Sequence, residues 1–179
     1  MKETFTEIIH FIKNPTAEKD PNTDFNYRFR KFGQVLAISF ISSFTLAILI
    51  GILVISNLVS IENHAMEDIL DKYPMYFVFF LTVVLAPLLE ESIFRAPLTL
   101  FKKQSTFKIA LYTATLLFGF MHISNYEIST RILLFSPILV APQLFLGFYL
   151  AFIRIRFGLL WAMVLHACFN GLLMSVELF

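Results

Sequence analysis

The uncharged run at residues 33–60 constrains the fold before any motif is considered. At a helical rise of about 1.5 Å per residue it exceeds the ~20 residues needed to cross hydrocarbon. In lipid the backbone must satisfy its own hydrogen bonds, so a run of this kind is a helix. Further apolar stretches lie at 75–101, 107–122, 132–153 and 157–178. The expected fold is therefore all-α, a polytopic transmembrane helical bundle of about five spans. Composition points the same way, with 58% apolar residues, 15% charged residues and 22 Phe, far from a soluble domain. The 14 basic and 13 acidic residues nearly cancel, which leaves no electrostatic footprint for nucleic acid.

Basic residues set the orientation. Arg28, Arg30 and Lys31 precede the first span, Lys102, Lys103 and Lys108 separate the second and third, and Arg154 and Arg156 separate the fourth and fifth. The other connections carry Glu62, Glu67, Asp68, Asp71 and Glu127. The expected topology is N-in and C-out. Residues 1–32 read as an interfacial or cytoplasmic segment, with a short helix around Phe5, Ile8, Ile9, Phe11 and Ile12 followed by a loop at Pro15, Pro21 and Asn22. Residues 33–179 read as the membrane bundle that carries the chemistry. The charged, mixed N-terminus is not the pattern of a cleavable signal peptide. The single cysteine, Cys168, excludes an intrachain disulfide.

Ionisable groups inside spans cost roughly 2.5 to 3.5 kcal/mol each on insertion scales, so they are paired or used. The second span holds Glu90, Glu91 and Arg95 between Pro87 and Pro97, two prolines that kink helices. Glu91 and Arg95 are four residues apart with the acid first, the favourable order for a pair. Glu90 is rotated by about 100° from Glu91, so one carboxylate is left over. Phe118 and His122 share the same spacing, as do His166 and Asn170. One buried histidine alone is most often a packing residue; two histidines, an asparagine, two glutamates and an arginine within spans are not explained by packing. Counted from Lys102, Lys108 and Arg156, the residues Glu90, His122, His166 and Asn170 all fall at depths of roughly 15 to 21 Å, a common layer near the midplane.

The motifs EESIFR at 90–95, FGFMH at 118–122 and HACFN at 166–170, in this order, resemble the signatures EExxxR, FxxxH and HxxxN/D of the CPBP intramembrane endopeptidases. That family includes type II CAAX prenyl endopeptidases and bacterial Abi-type proteins, some linked to bacteriocin immunity. The resemblance covers about residues 74–171, including GFYLAFIRIRFGLLWAMVLH before the last motif. No motif position departs from the pattern, although the chain is short for the family. The resemblance implies that Glu90 is the general base toward water and that His122 helps to hold that water. It implies that His166 and Asn170 donate to the oxyanion, with Glu91, Arg95 and Phe118 as structural support. It also implies a peptide or protein substrate, membrane-bound or lipidated, and, for so short a chain, the bacterial inner membrane. Physical chemistry agrees in outline: donors fixed in a low-dielectric site stabilise a developing oxyanion, and a carboxylate in an apolar setting is a stronger base.

Rival readings stay open at this stage. Glu90, His122 and His166 are competent zinc ligands that leave a position for water, so a zinc-dependent site competes with one that needs no cofactor. Cys168 and Ser92 are poorly placed as nucleophiles relative to the histidines. A non-catalytic immunity or binding protein, or a proton-linked carrier, could use the same buried groups. The aromatic stripe Phe145, Phe148, Tyr149 and Phe152 is expected to face lipid, with a substrate groove as the alternative. Gln143 and Tyr149 are weaker candidates for orienting a substrate. Gly147 and Gly158 are candidates for close helix approach.

Overall fold

The computed structural model describes residues 1–60 and 65–177. Its helices are α1 (Lys2–Lys13), α2 (Phe25–Ile55), α3 (Ala65–Lys72), α4 (Met75–Phe79), α5 (Ala86–Phe94), α6 (Gln104–Met121), α7 (Thr130–Leu139), α8 (Ala141–Phe157) and α9 (Leu159–Glu177). Among the described residues, four stretches are long and apolar enough to cross a membrane: Phe25–Ile55, Met75–Leu100, Gln104–Asn125 and Thr130–Phe157. The apolar part of α9, Leu159–Ser175, is shorter. The protein is thus an all-α polytopic bundle. Glu62 of the acidic connection and Leu178 at the end of the last span lie outside the described residues.

The first span begins at Phe25 rather than near Gly33, because Asp24 caps it by accepting from the Tyr27 N–H at 2.8 Å. The N-terminal helix α1 is packed into the bundle. Ile8 and Phe11 are buried in the same core as Val35 and Phe152, and Lys31 pairs with Glu7 at 2.7 Å. The Tyr112 hydroxyl donates to the Ile12 carbonyl at 2.8 Å, tying α6 to the end of α1.

Helix α8 is the centre of the molecule. Its residues Leu146, Tyr149, Leu150, Ala151, Phe152 and Ile153 are all buried, and it packs on α2, α6 and α9. This corrects the lipid-facing expectation for the aromatic stripe: Tyr149 and Phe152 are core residues, Phe148 packs against the core, and only Phe145 is exposed. The Tyr149 hydroxyl donates to Ser42 Oγ at 3.0 Å, which fixes it against α2. Gly119 lets α6 approach α8 so closely that a Cβ there would overlap the Leu144 side chain. Gly158 has no such neighbour. Its φ of +113° turns the chain between α8 and α9, so its role is conformational rather than close packing.

The second span is irregular for a reason visible in its prolines. Between α4 and α5, residues Phe80–Leu85 form a π-helical turn, and the Ala86 N–H reaches back to the Leu81 carbonyl. In that register the next donor, to the Thr82 carbonyl, would come from residue 87, and Pro87 has no N–H. After α5 the chain tightens into a 3-10 turn, Ala96–Leu100, containing Pro97. Arg154 of α8 caps this end of α5, donating from Nε to the Arg95 carbonyl at 3.1 Å and from Nη2 to the Ala96 carbonyl at 3.3 Å.

Candidate active site

The three motifs meet where α5, α6 and α9 converge against α8. Glu91 and Arg95 are 0% and 1% exposed, with Arg95 Nη1 at 3.4 Å from Glu91 Oε1. The same Oε1 receives His166 Nδ1 at 3.0 Å. A carboxylate only accepts, so Nδ1 carries the hydrogen and Nε2 is the nitrogen turned toward Glu90, at 3.7 Å from Glu90 Oε2. Glu91 therefore holds both an arginine and the ring orientation of a histidine. Glu90, one position away on the helix, has an Oε2 that is buried without a hydrogen-bond partner.

Phe118 organises the other side. Its ring is fully buried, with the Arg95 guanidinium 3.8 Å from its centroid and edge-on contacts to His122 and His166 at 5.0 and 5.8 Å. A cation over an aromatic face in a dry setting gains on the order of 2 kcal/mol, which helps a guanidinium whose Nη atoms lack hydrogen-bond partners. Gly147 of α8 supplies the remaining space: a Cβ there would lie 3.2 Å from both Arg95 Nη2 and the Phe118 ring. His122 Nδ1 donates to the Phe118 carbonyl at 2.8 Å, leaving Nε2 free.

Asn170 answers the gap left by Pro87. Its Nδ2 donates to the Thr82 carbonyl at 2.8 Å, replacing the missing backbone donor and tying α9 to the π turn. One amide N–H is consumed in this way and the other is not.

Glu90, His122, His166 and Asn170 all line one cavity of about 440 Å³, together with Thr82, Ser124, Asn125, Gln143 and apolar side chains. Glu91, Arg95 and Phe118 do not line it; they stand behind it. Cys168 is half-buried and away from the cavity, and exposed Ser92 donates its hydroxyl back to the Leu88 carbonyl at 2.7 Å. Tyr149 is also absent from the lining. Among the described residues, no three His, Cys, Asp or Glu side chains are grouped so as to share one metal ion. The contributions of Thr82 and Asn125 were not foreseen from the sequence: a threonine and a loop asparagine carry no signal until the bundle places them.

Enclosed between helices that are apolar on their outer faces, this arrangement defines an α-helical integral membrane protein with an internal acid–histidine site. Residues 72–172 match the family described as Type II CAAX prenyl endopeptidase Rce1-like. The match spans more than half of the chain, and the protein belongs to this family of membrane proteases. No curated protein and no solved structure matches the chain.

Proposed function

We propose that this protein is an intramembrane endopeptidase that cleaves a membrane-bound or lipidated peptide with water activated by Glu90. The observation that carries this reading is the division of labour around the cavity. Glu90, His122, His166 and Asn170 line it, while Glu91 and Arg95 are sealed behind it. The partner-free Oε2 of Glu90 accepts a proton from water as the water oxygen bonds to the scissile carbonyl carbon. His122, anchored through Nδ1, holds the water with Nε2. The unused N–H of Asn170 stabilises the oxyanion, and His166 joins it when Nε2 carries a hydrogen as well as the Nδ1 held by Glu91. The intermediate collapses by breaking the C–N bond, and the proton held by Glu90 passes to the departing amine.

The site works without a cofactor in this reading. Zinc held by Glu90, His122 and His166 is the competing reading. The protein sits in a bacterial inner membrane, N-in and C-out, with its basic connections in the cytoplasm.

The test is cleavage of prenylated and membrane-embedded peptides by purified protein, wild type against Glu90→Gln, each with and without a strong chelator. The expected result is chelator-resistant cleavage that falls by about 10²- to 10⁴-fold in Glu90→Gln. Cleavage at the wild-type rate in Glu90→Gln would remove Glu90 as the base. Loss on chelation would replace the metal-free mechanism by the zinc one, and no cleavage of any peptide would favour a binding or immunity role.

A further inference from the structure

We propose that Gln143 is the acceptor for a substrate backbone N–H, and so a positioning residue that recognises the substrate as an extended peptide. This rests on the endopeptidase reading above and adds the contact that holds the chain next to the scissile bond. Gln143 lies in the first turn of α8, after the break at Val140 and beside Pro142, and it lines the same cavity as Glu90 and His122. Its neighbour Leu144 is seated on Gly119, three residues before His122 in α6, so the start of α8 is held firmly against the catalytic end of α6. The Gln143 Oε1 is buried and has no hydrogen-bond partner.

The hydrogen-bonding groups of the cavity explain why that acceptor matters. The Thr82 carbonyl is taken by Asn170, the Thr82 hydroxyl donates to the Val78 carbonyl at 2.9 Å, and the Nδ1 atoms of His122 and His166 are engaged by Phe118 and Glu91. Among the described residues that line the cavity, Glu90 Oε2 is the other fully buried oxygen without a hydrogen-bond partner, and its task is to take a proton from water. Gln143 Oε1 is therefore a neutral, fully buried acceptor that no group of the protein occupies. A segment cleaved within the bilayer must leave its helix, and each freed N–H then needs a partner that lipid cannot supply. A buried carbonyl oxygen aimed at that N–H stabilises the extended form and distinguishes an amide from its ester analogue.

The experiment uses an unprenylated membrane-embedded peptide and a series in which each backbone N–H flanking the scissile bond is replaced in turn by an ester oxygen. Binding is measured to purified, inert Glu90→Gln protein, and cleavage is measured in protein with Glu90 intact. Each background carries Gln143, Gln143→Leu or Gln143→Glu. With Gln143, one ester position is expected to weaken binding and lower kcat/KM by about tenfold. With Gln143→Leu the all-amide peptide falls by about the same factor and that ester has no further effect. Gln143→Glu, which keeps an acceptor, restores the difference. An unchanged amide-to-ester ratio in Gln143→Leu overturns the proposal, as does failure of the peptide to bind at all. Because binding is read in the Glu90→Gln protein, failure of the hydrolytic mechanism is seen separately, as absent or Glu90-independent cleavage.

Discussion

Glu91 is the residue whose loss the bundle should tolerate least, and the geometry sets the size of the effect. Its Oε1 faces Arg95 Nη1 at 3.4 Å and His166 Nδ1 at 3.0 Å, and both Glu91 and Arg95 are almost wholly buried. Glu91→Gln keeps the shape and leaves an oxygen to accept from His166, but it strips the guanidinium of its adjacent countercharge. Breaking one side of a buried pair costs about 3 to 5 kcal/mol, because the remaining charge stays buried and uncompensated. For a chain of this size that is a fall in Tm of roughly 6 to 20 °C. Glu91→Gln with Arg95→Met removes both charges and should recover most of the loss, since apolar replacement of a buried pair is often neutral. The single Cys168, half-buried in α9, serves as reporter: a maleimide dye that fluoresces on thiol reaction follows its exposure as purified protein is heated in detergent. A fall of less than about 3 °C for Glu91→Gln, or a double variant no more stable than the single, would refute the assignment of Glu91 as the countercharge that holds Arg95.

Three further outcomes are expected. Asn170→Ala should cost about 1 to 3 kcal/mol by orphaning the Thr82 carbonyl; in a Pro87→Ala background, where residue 87 regains an N–H, the same change should cost clearly less by thermal unfolding. Gly147→Ala should lose about 1 to 3 kcal/mol, since its Cβ would press on Arg95 Nη2 and Phe118, with a matching fall in activity as the cation is pushed off the ring. Gly158→Ala, at φ +113° and ψ 174°, should cost about 1 to 3 kcal/mol from backbone strain alone, again read by Tm.

The helical part of the fold and the residues that gather in the cavity were legible because both follow from short-range rules. Uncharged runs must be helices in lipid, and i, i+4 spacing places Glu91 on Arg95 and His122 under Phe118. Counting from the basic connections put Glu90, His122, His166 and Asn170 in one layer, and they do line one cavity. What stayed hidden depends on neighbours. The pattern of Ile8 and Phe11 suits an interfacial helix and a packed one equally, and only α2 and α8 decide that it is packed. Tyr149 and Phe152 look like lipid-facing aromatics until α8 is found at the centre. The bond from Asn170 to Thr82 could not be read at all, because it depends on a π register that moves the orphaned carbonyl of Pro87 to residue 82.

The adjacent pair Glu90 and Glu91 gains its meaning from that packing. Two carboxylates side by side in an apolar helix would repel each other on a shared face, and the ~100° rotation between neighbours sends them to different surroundings. Glu91 turns to Arg95, whose charge is spread over the face of Phe118, and Phe118 in turn offers its carbonyl to His122. Glu91 also fixes His166, so that the nitrogen left over faces Glu90. The first two motifs thus supply both braces and lining residues, the third lines the cavity with His166 and Asn170, and the braces Glu91, Arg95 and Phe118 form one contact chain that reaches His166 in α9. A change at any brace is therefore felt by lining residues on other helices, which is why Glu91→Gln should disturb His166 in α9 as well as Arg95 in its own helix, while Glu90→Gln, at an Oε2 bonded to nothing, should leave the bundle as stable as before.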